Sequence, residues 1–343
     1  MNAMKAVVVH EPRRATVESV PRPDPGPDEV IVQVGACGLC GTDLKIFEGE
    51  YLSPYPLIPG HEFSGTVVDL GRNVDRSWLG QHVGVDPTLA CGHCEYCRDA
   101  AFNHCRAWGA LGDTTDGGFT EFVRVPAANV YQMPDAFSFN EGALVEPVAC
   151  ATWAIERLRI RIGGRVLLFG AGPMGLILLE LLRNAGMQDA VLIDRSAQRL
   201  DLARGIAKAD FVRADDAALT NLKQTYPDGF DLVVDATGNP DVLDVALPWV
   251  KKNGQLLLFG VAPIGAKAHV EPYLIYHNEV TIVSSMAINH SYGRAMSLSQ
   301  QIQGSLQRLV THQLPLTKYL EAISLIQSGR ALKVQLVPNG AKE

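Results

Sequence analysis

Residues 165–194 carry a strand, a glycine-rich turn, a helix, a second strand and an acid in one unbroken stretch. Arg165 to Phe169 reads as a buried parallel strand. Gly170-Ala171-Gly172-Pro173-Met174-Gly175 follows, a G-x-G-x-x-G. Leu176 to Ala185 then reads as a helix ending at Gly186. Ala190 to Ile193 reads as the second strand and closes on Asp194, 19 residues past Gly175. The glycine pattern alone is a weak signal, but in this full context it predicts a dinucleotide site. The glycines permit a tight turn and bring a pyrophosphate close to the helix N-terminus. Gly170, Gly172, Pro173, Met174 and Gly175 are therefore cofactor-binding candidates. Asp194 would hydrogen-bond the adenosine ribose and repel a 2′-phosphate, which favours NAD over NADP. Arg195 and Arg199 offer guanidinium groups that such a phosphate would want. Beside Asp194 they read better as solvated residues at a helix start, and both stay on the candidate list.

The alternation continues downstream. Ala209 to Val212, Phe230 to Asp235, Gly254 to Gly260 and Val280 to Met286 read as strands, the last at a sheet edge. Asp241 to Val250 reads as a helix. Thr237-Gly238-Asn239 is a turn at the C-terminal end of a strand, where doubly wound sheets bind ligands, so Thr237 joins the cofactor candidates. Such alternation implies a parallel sheet covered on both faces. The flanks differ. Met4 to His10, Val30 to Gly35, Phe63 to Leu70 and Val83 to Val85 are short strands separated by turns such as Pro21 to Pro27 and Gly71-Arg72-Asn73. After about residue 290 the chain shows helical periodicity through Ile302, Leu306, Leu309 and Val310. A second helical segment, Tyr319 to Ile326, precedes a terminal strand, Lys333 to Val337.

Seven cysteines cannot all pair with one another. Four form one group, Cys91-x2-Cys94-x2-Cys97-x7-Cys105. Four thiolates on a tight loop satisfy a tetrahedral zinc and leave no open position, so this reads as a structural zinc. Gly92 lets that loop fold back. An iron–sulfur cluster ranks second, because the fourth cysteine is distant and lacks a following Pro. A nucleic-acid zinc ribbon ranks third, because Glu95 and Asp99 offset Arg98 and Arg106. A dispersed set comprises Cys40 in Gly38-Leu39-Cys40-Gly41-Thr42-Asp43, His61 and Glu62 in Pro59-Gly60-His61-Glu62-Phe63, and Glu146 before Pro147. Each is weak alone. Together, thiolate, imidazole and carboxylate make a mixed zinc site with room for water or substrate. Asp43 is a natural acceptor for the imidazole N–H of His61.

The balance of the chain narrows the class. Over 343 residues, 30 Lys and Arg against 37 Asp and Glu leave a net charge of −7. That is a poor partner for nucleic acid or an anionic membrane. No apolar run approaches the roughly 20 residues of a membrane span, and Ala6 to Val9 is too short for a signal-peptide core. The expectation is a cytoplasmic protein of about two domains.

Taken in order, these motifs, with Asp116-Gly117-Gly118-Phe119 and Glu146-Pro147, resemble the zinc-dependent medium-chain dehydrogenases over essentially the whole chain. The nearer resemblance is to the polyol branch with sorbitol and galactitol dehydrogenases. It implies a GroES-like β-rich catalytic domain at 1–148 and 287–343, with a Rossmann-type doubly wound NAD-binding domain at 149–286. It implies a catalytic zinc on Cys40, His61 and Glu62, with Glu146 bound directly or through water, and a structural zinc on Cys91, Cys94, Cys97 and Cys105. Two zinc ions and NAD per chain follow, with the active site in the cleft. The implied reaction oxidises a secondary hydroxyl of a hexitol or pentitol to the ketose and passes hydride to NAD. L-threonine or a vicinal diol such as butanediol is the alternative substrate. Thr42 would begin the proton relay. Lys45 stands where many relatives place His, and it makes a poorer shuttle at neutral pH. Cys37 and Cys150 read as small buried hydrophobes. Ala287-Ile288 stands where sorbitol dehydrogenases carry Arg-Tyr. Asn289, His290 and Tyr292, and also Phe47, Tyr51 and Phe119, are candidate substrate contacts. Family resemblance further implies a homo-oligomer, dimer or tetramer, pairing along the apolar strand near Val280 to Met286. Rival readings are a zincless quinone or enone reductase, which would not need the Cys40, His61 and Glu62 set, a non-enzymatic NAD-binding protein of the same fold, and the zinc-ribbon nucleic-acid binder.

Overall fold

A computed structural model describes residues 3–338. The chain divides into two compact units, Met1–Ala149 with Ile288–Glu343, and Cys150–Ala287. The expected boundaries differ from these by one residue at each crossing, with Ala149 in the first unit and Ala287 in the second. Residues 1, 2 and 339–343 of the expected catalytic domain lie outside the described residues.

The first unit is β-rich. A hairpin of Ala3–Glu11 and Arg14–Pro21 stands apart from a seven-stranded sheet. That sheet runs Val310–Leu314, Lys333–Leu336, Glu29–Gly38, Glu62–Leu70, His82–Val85 and Val130–Gln132, with Phe122–Pro126 also paired to Glu29–Gly38. The C-terminal strand thus returns to lie beside Glu29–Gly38, with Leu336 opposite Cys37 and Gln335 opposite Gly38. Val30, Val32, Val67, Val83 and Val125 fill its core with no exposure.

The second unit is an all-parallel sheet in the order Asp210–Arg213, Asp189–Asp194, Arg165–Phe169, Phe230–Asp235, Val250–Leu258, Thr281–Ser284. The strand order reverses between its first two halves at Arg165–Phe169, the topology of nucleotide-binding sheets. Continuous apolar strands such as Val166-Leu167-Leu168 are buried on both faces, as a parallel sheet requires.

Two expected helices differ. The one expected over Asp241 to Val250 ends at Ala246, and Leu247–Trp249 tightens into a single turn. Pro248 has no N–H to continue the ladder. Val250 opens a strand instead. In the tail, the periodic stretch breaks at Ile302 into Tyr292–Gln301 and Gln303–Leu309, and Val310 begins a strand paired with Lys333–Leu336. Among the described residues no helix is long and apolar enough to cross a membrane.

Candidate active site

Strand register assembles the dispersed set. Gly38 faces Glu62 across the antiparallel pair Glu29–Gly38 and Glu62–Leu70. A Cβ at Gly38 would stand 2.1 Å from Glu62 Oε2, so only glycine leaves that carboxylate room. Just beyond the strand, Cys40 opens the helix Gly41–Glu48. Asp43 Oδ2 accepts the Cys40 N–H at 2.7 Å, which caps the helix start in the manner of a capping box. Asp43 Oδ1 accepts the Gly60 N–H at 3.2 Å and ties that turn to the one carrying His61. One ligand atom from each of Cys40, His61 and Glu62 lies within 4.8 Å of the others.

Two further charged residues complete this centre, and the sequence reading missed both. Lys333, on the returning strand, donates to both Glu62 oxygens at 2.7 and 2.8 Å and to the Leu39 carbonyl at 3.2 Å. Lys333 is 3% exposed and Glu62 1%. Burial opposes the ammonium charge, but the Glu62 carboxylate more than offsets this and raises the Lys333 pKa. The only sequence signal was a lysine opening the terminal strand Lys333–Leu336, beside the apolar Val334 and Leu336, where burial would require a partner. Asp113 is the second. Its Oδ1 lies 3.1 Å from His61 Nδ1, against 3.9 Å for Asp43 Oδ1. The expectation that Asp43 takes the imidazole N–H is therefore corrected: Asp43 is committed to two backbone amides. Burial works against a charged imidazole, yet Asp113 and Asp43 outweigh it and hold His61 well above the ordinary histidine range. Asp43 itself is pushed up to about 7, chiefly by burial.

This donor set fits zinc. A thiolate, an imidazole and a carboxylate converge, with the His61 Nδ1 and Asp113 Oδ1 atoms both buried and lacking a well-aligned hydrogen bond. Glu146 is buried at the start of helix Val145–Glu156, where the helix dipole suits a carboxylate. Its oxygens do not lie within 4.8 Å of all three other ligand atoms. Thr42 and Lys45 follow Cys40 on its helix, both half-buried, and Thr42 Oγ1 lies 4.0 Å from Cys40 Sγ.

The four-cysteine loop is preformed. Cys94 Sγ lies 3.5 Å from Cys97 Sγ and 4.0 Å from Cys105 Sγ, and Cys91 Sγ 3.9 Å from Cys97 Sγ. A tetrahedron of zinc–sulfur bonds of about 2.3 Å has edges of about 3.8 Å. Backbone N–H groups already aim at sulfur, from Cys91 to Cys105 at 3.2 Å and from Cys94 to Cys91 at 3.4 Å. Backbone donors from Arg106 and Cys97 pull the Cys94 thiol down to about 6. Gly92 takes the left-handed conformation (φ 75°) expected of it.

Several candidate substrate contacts belong elsewhere. Asn289 is buried and its Oδ1 accepts the Phe102 N–H at 3.0 Å, while the His290 ring packs edge-on to Phe102 at 4.2 Å. Both thus lean on the cysteine lobe. Tyr292 is fully buried against Tyr131. Phe119 is a core residue beside Tyr319, and Phe47 packs on the same tyrosine. Ile288 is buried. Cys37 is buried as expected, but Cys150 is only half-buried.

In the second unit the glycine turn has its helix, Pro173–Asn184, with Gly172 as N-cap and Pro173 in the first turn. Gly170 (φ 109°) packs against Thr237, whose Cγ2 would stand 3.1 Å from an added Cβ. Gly175 has Gly170 O at 2.0 Å from such a Cβ, whereas Gly172 has nothing within 4 Å. So Gly175 is required for the turn, and Gly172 leaves open space for a ligand. Asp194 accepts the Ala171 N–H and the Ser196 N–H, both at 2.8 Å, and so braces the turn as well as facing it. Arg195 is exposed and Arg199 half-buried. Thr237 donates to Asp235 Oδ1 at 2.6 Å, which orders that turn.

Known proteins agree with this architecture. The alcohol dehydrogenase GroES-like domain matches residues 26–135, and zinc-binding dehydrogenase matches residues 173–301. D-arabinitol dehydrogenase 1 of Uromyces fabae is 35% identical over 98% of this chain and 97% of its own. L-threonine 3-dehydrogenase of Stenotrophomonas maltophilia is 30% identical over 97% and 99%. A zinc-binding dehydrogenase structure from Sinorhizobium meliloti, bound to NADP, superposes with a TM-score of 0.92 at 31% identity, covering 98% of this chain and all of that one. The chain belongs to the zinc-dependent medium-chain dehydrogenases, oxidoreductases that use zinc and a nicotinamide dinucleotide. Within them it falls in the polyol dehydrogenase branch.

Proposed function

We propose that this enzyme oxidises a secondary hydroxyl of a hexitol or pentitol to the ketose, with NAD as the hydride acceptor. The observation that carries the reading is the convergence of Cys40, His61 and Glu62 within 4.8 Å, built on a donor set suited to an open zinc site. A zinc held there supplies Lewis acidity that makes an alcohol hydroxyl more acidic. Glu146 would complete the site, bound directly or through a water. The half-buried Thr42 begins a path for the departing proton, and Lys45 is its outer candidate. Thr42→Val is expected to lower turnover far more than cofactor affinity. Gly170, Gly172, Pro173, Met174 and Gly175 would cradle the pyrophosphate, with Asp194 on the ribose and Thr237, Arg195 and Arg199 at the rim of the site. The carboxylate at Asp194 supports NAD over NADP. The second zinc would sit on Cys91, Cys94, Cys97 and Cys105 and pin the loop.

L-threonine or a vicinal diol is the second reading, favoured by the threonine dehydrogenase relative. NAD reduction at 340 nm, across hexitols, pentitols, L-threonine and 2,3-butanediol, separates these readings. Each substrate is run with and without a zinc chelator and with NADP in parallel. Chelator-sensitive turnover of a polyol with NAD supports the proposal. Turnover of threonine alone sinks it in favour of the second reading. No turnover of any member, with zinc and NAD both bound, would sink the polyol assignment, whereas NAD binding without zinc would support a non-enzymatic NAD-binding protein.

The strand Thr281–Ser284 is one edge of the sheet, with Ile282, Met286, Tyr273 and Tyr276 exposed around it. A second copy of the chain would cover this edge, giving a dimer or tetramer, which light scattering reads directly. A reducing, cytoplasmic setting fits cysteines that form no disulfide among the described residues.

A further inference from the structure

Asp113 is placed by a tightly constrained stretch of backbone. The loop Gly112–Gly118 lies directly on Pro59-Gly60-His61. Gly117 N donates to Ile58 O at 2.7 Å, Gly118 N to Gly60 O at 2.6 Å and Phe119 N to Pro59 O at 2.9 Å. Asp116 Oδ1 accepts the Ile58 N–H at 3.0 Å. An added Cβ at Gly112 (φ 87°) would fall 2.5 Å from the Gly60 carbonyl, and one at Gly117 2.2 Å from Gly60 O. Nothing larger than hydrogen fits between these two strips of chain. Asp113 is therefore delivered to His61 by the loop itself, and the residue is 6% exposed. Its Oδ1 lies 3.1 Å from His61 Nδ1, the pair is not aligned as a hydrogen bond, and neither atom has a hydrogen-bond partner among the described residues.

A buried carboxylate oxygen left without a donor is costly, and the imidazole N–H of His61 is the donor 3.1 Å from Asp113 Oδ1, while Tyr51 is hydrogen-bonded to the same carboxylate. A carboxylate that takes the Nδ1 proton leaves the Nε2 lone pair for a metal and fixes the ring plane. Asp43 cannot do this equally well, since its two oxygens are bonded to the Cys40 and Gly60 amides.

We propose that Asp113 is the positioning residue that sets the His61 tautomer and orientation for the metal, while Asp43 serves the backbone of the site. This rests on the reading of Cys40, His61 and Glu62 as a zinc centre. It divides between two carboxylates the work that a single acid beside the cysteine was expected to do.

The test is zinc affinity by chelator competition on the full-length, zinc-loaded enzyme, with thermal unfolding on the same samples. Asp113→Asn is expected to weaken one of the two zinc sites by about 10–100-fold. Its unfolding temperature should stay near wild type, and the four-cysteine site should keep its metal. Asp113→Ala should weaken the same site at least as much. Asp43→Asn should instead lower the unfolding temperature and affect zinc affinity less. The 15N shifts of the His61 ring should report a protonated Nδ1 in the wild type and a mixed tautomer in Asp113→Asn. Wild-type zinc affinity in Asp113→Asn overturns the proposal, as does equal loss in Asp43→Asn without loss of stability. Cys40→Ser separates the two levels. If that variant still holds two zinc ions, the zinc centre and the role of Asp113 fall together. If it holds one, a negative result at Asp113 is confined to Asp113.

Discussion

The metal centre of the first unit and the dinucleotide turn of the second are built on opposite plans. The turn, its helix and its acid fit within residues 165–194, and each part contacts its neighbours in sequence. The metal centre draws on residues 40, 43, 61, 62, 113 and 333, and Lys333 and Glu62 are 271 positions apart. The local site needs glycine geometry more than burial. The long-range site needs a folded sheet around it, because its charges are almost wholly enclosed and each must find a partner. A local site can be weakened without unfolding its unit, whereas the long-range site cannot cheaply lose the cation that holds the buried Glu62.

The sharpest break in that comparison is at Cys40. Cys40→Ser should abolish the Lewis-acid contribution, worth several kcal/mol, or about three orders of magnitude in turnover. Metal analysis should fall from two zinc ions per chain to one, while NAD affinity holds. Next comes Lys333→Met, which leaves Glu62 buried without its cation. A loss of about 3–5 kcal/mol in urea unfolding is expected. The double variant Lys333→Met with Glu62→Gln should recover a large part of it. A loss below about 1 kcal/mol would mean that water reaches Glu62 and that the centre is less enclosed than its geometry implies.

The dinucleotide turn should behave differently. Gly172→Ala meets no protein atom within 4 Å, so unfolding should shift by less than about 0.5 kcal/mol. NAD binding should weaken about tenfold or more, the equivalent of one charge-assisted hydrogen bond. Gly175→Ala puts a Cβ 2.0 Å from Gly170 O and should instead cost about 1–3 kcal/mol of stability. Calorimetric titration with NAD, set beside thermal unfolding, reads both. If the two glycines act alike, the division between ligand space and packing is wrong. Asp194→Ser should narrow the preference for NAD over NADP. It should also cost about 1 kcal/mol of stability, since Asp194 accepts the Ala171 and Ser196 amides.

The smallest effect is one of pH in the second unit. Burial pushes the Asp231 carboxyl up, but the Arg165 amide, Lys251 and Arg161 outweigh it and hold its pKa below the usual range. A depressed folded pKa gives stability that is present above the unfolded value, about pH 3.9, and is lost as pH falls through the folded value. Asp231→Asn should therefore differ from wild type by a constant amount above about pH 5. That difference should shrink below about pH 4. Thermal melts between pH 3 and pH 7 check this.

Legibility followed the same divide. Arg165–Phe169 and Phe230–Asp235 are strands over the residues that read as strands, because a doubly covered parallel sheet demands uninterrupted apolar runs. Cys91, Cys94, Cys97 and Cys105 were legible as a group because thiolate chemistry and close spacing coincide within one loop. The strands Arg14–Pro21 and Val310–Leu314 were not legible. Neither carries a continuous apolar run, and their burial is only intermediate. The helix Gly41–Glu48 was missed although the Cys40–Asp43 spacing is a capping signal, since cysteine is an unusual residue to be capped. Asn289 and Tyr292 looked polar and available in sequence, but tertiary packing enclosed both.

Residue chemistry and spacing alone determined the two kinds of unit, the glycine turn with its acid, and the thiolate loop, because each of these is settled by neighbours a few residues away. Only the tertiary structure decided which acid faces His61, that Glu62 is held by Lys333, and that Gly38 must stay bare. Those outcomes depend on strand register and on which charges are shut away from water together. No local pattern carries that information, because the free energy of burying a charge is set by a partner hundreds of residues away.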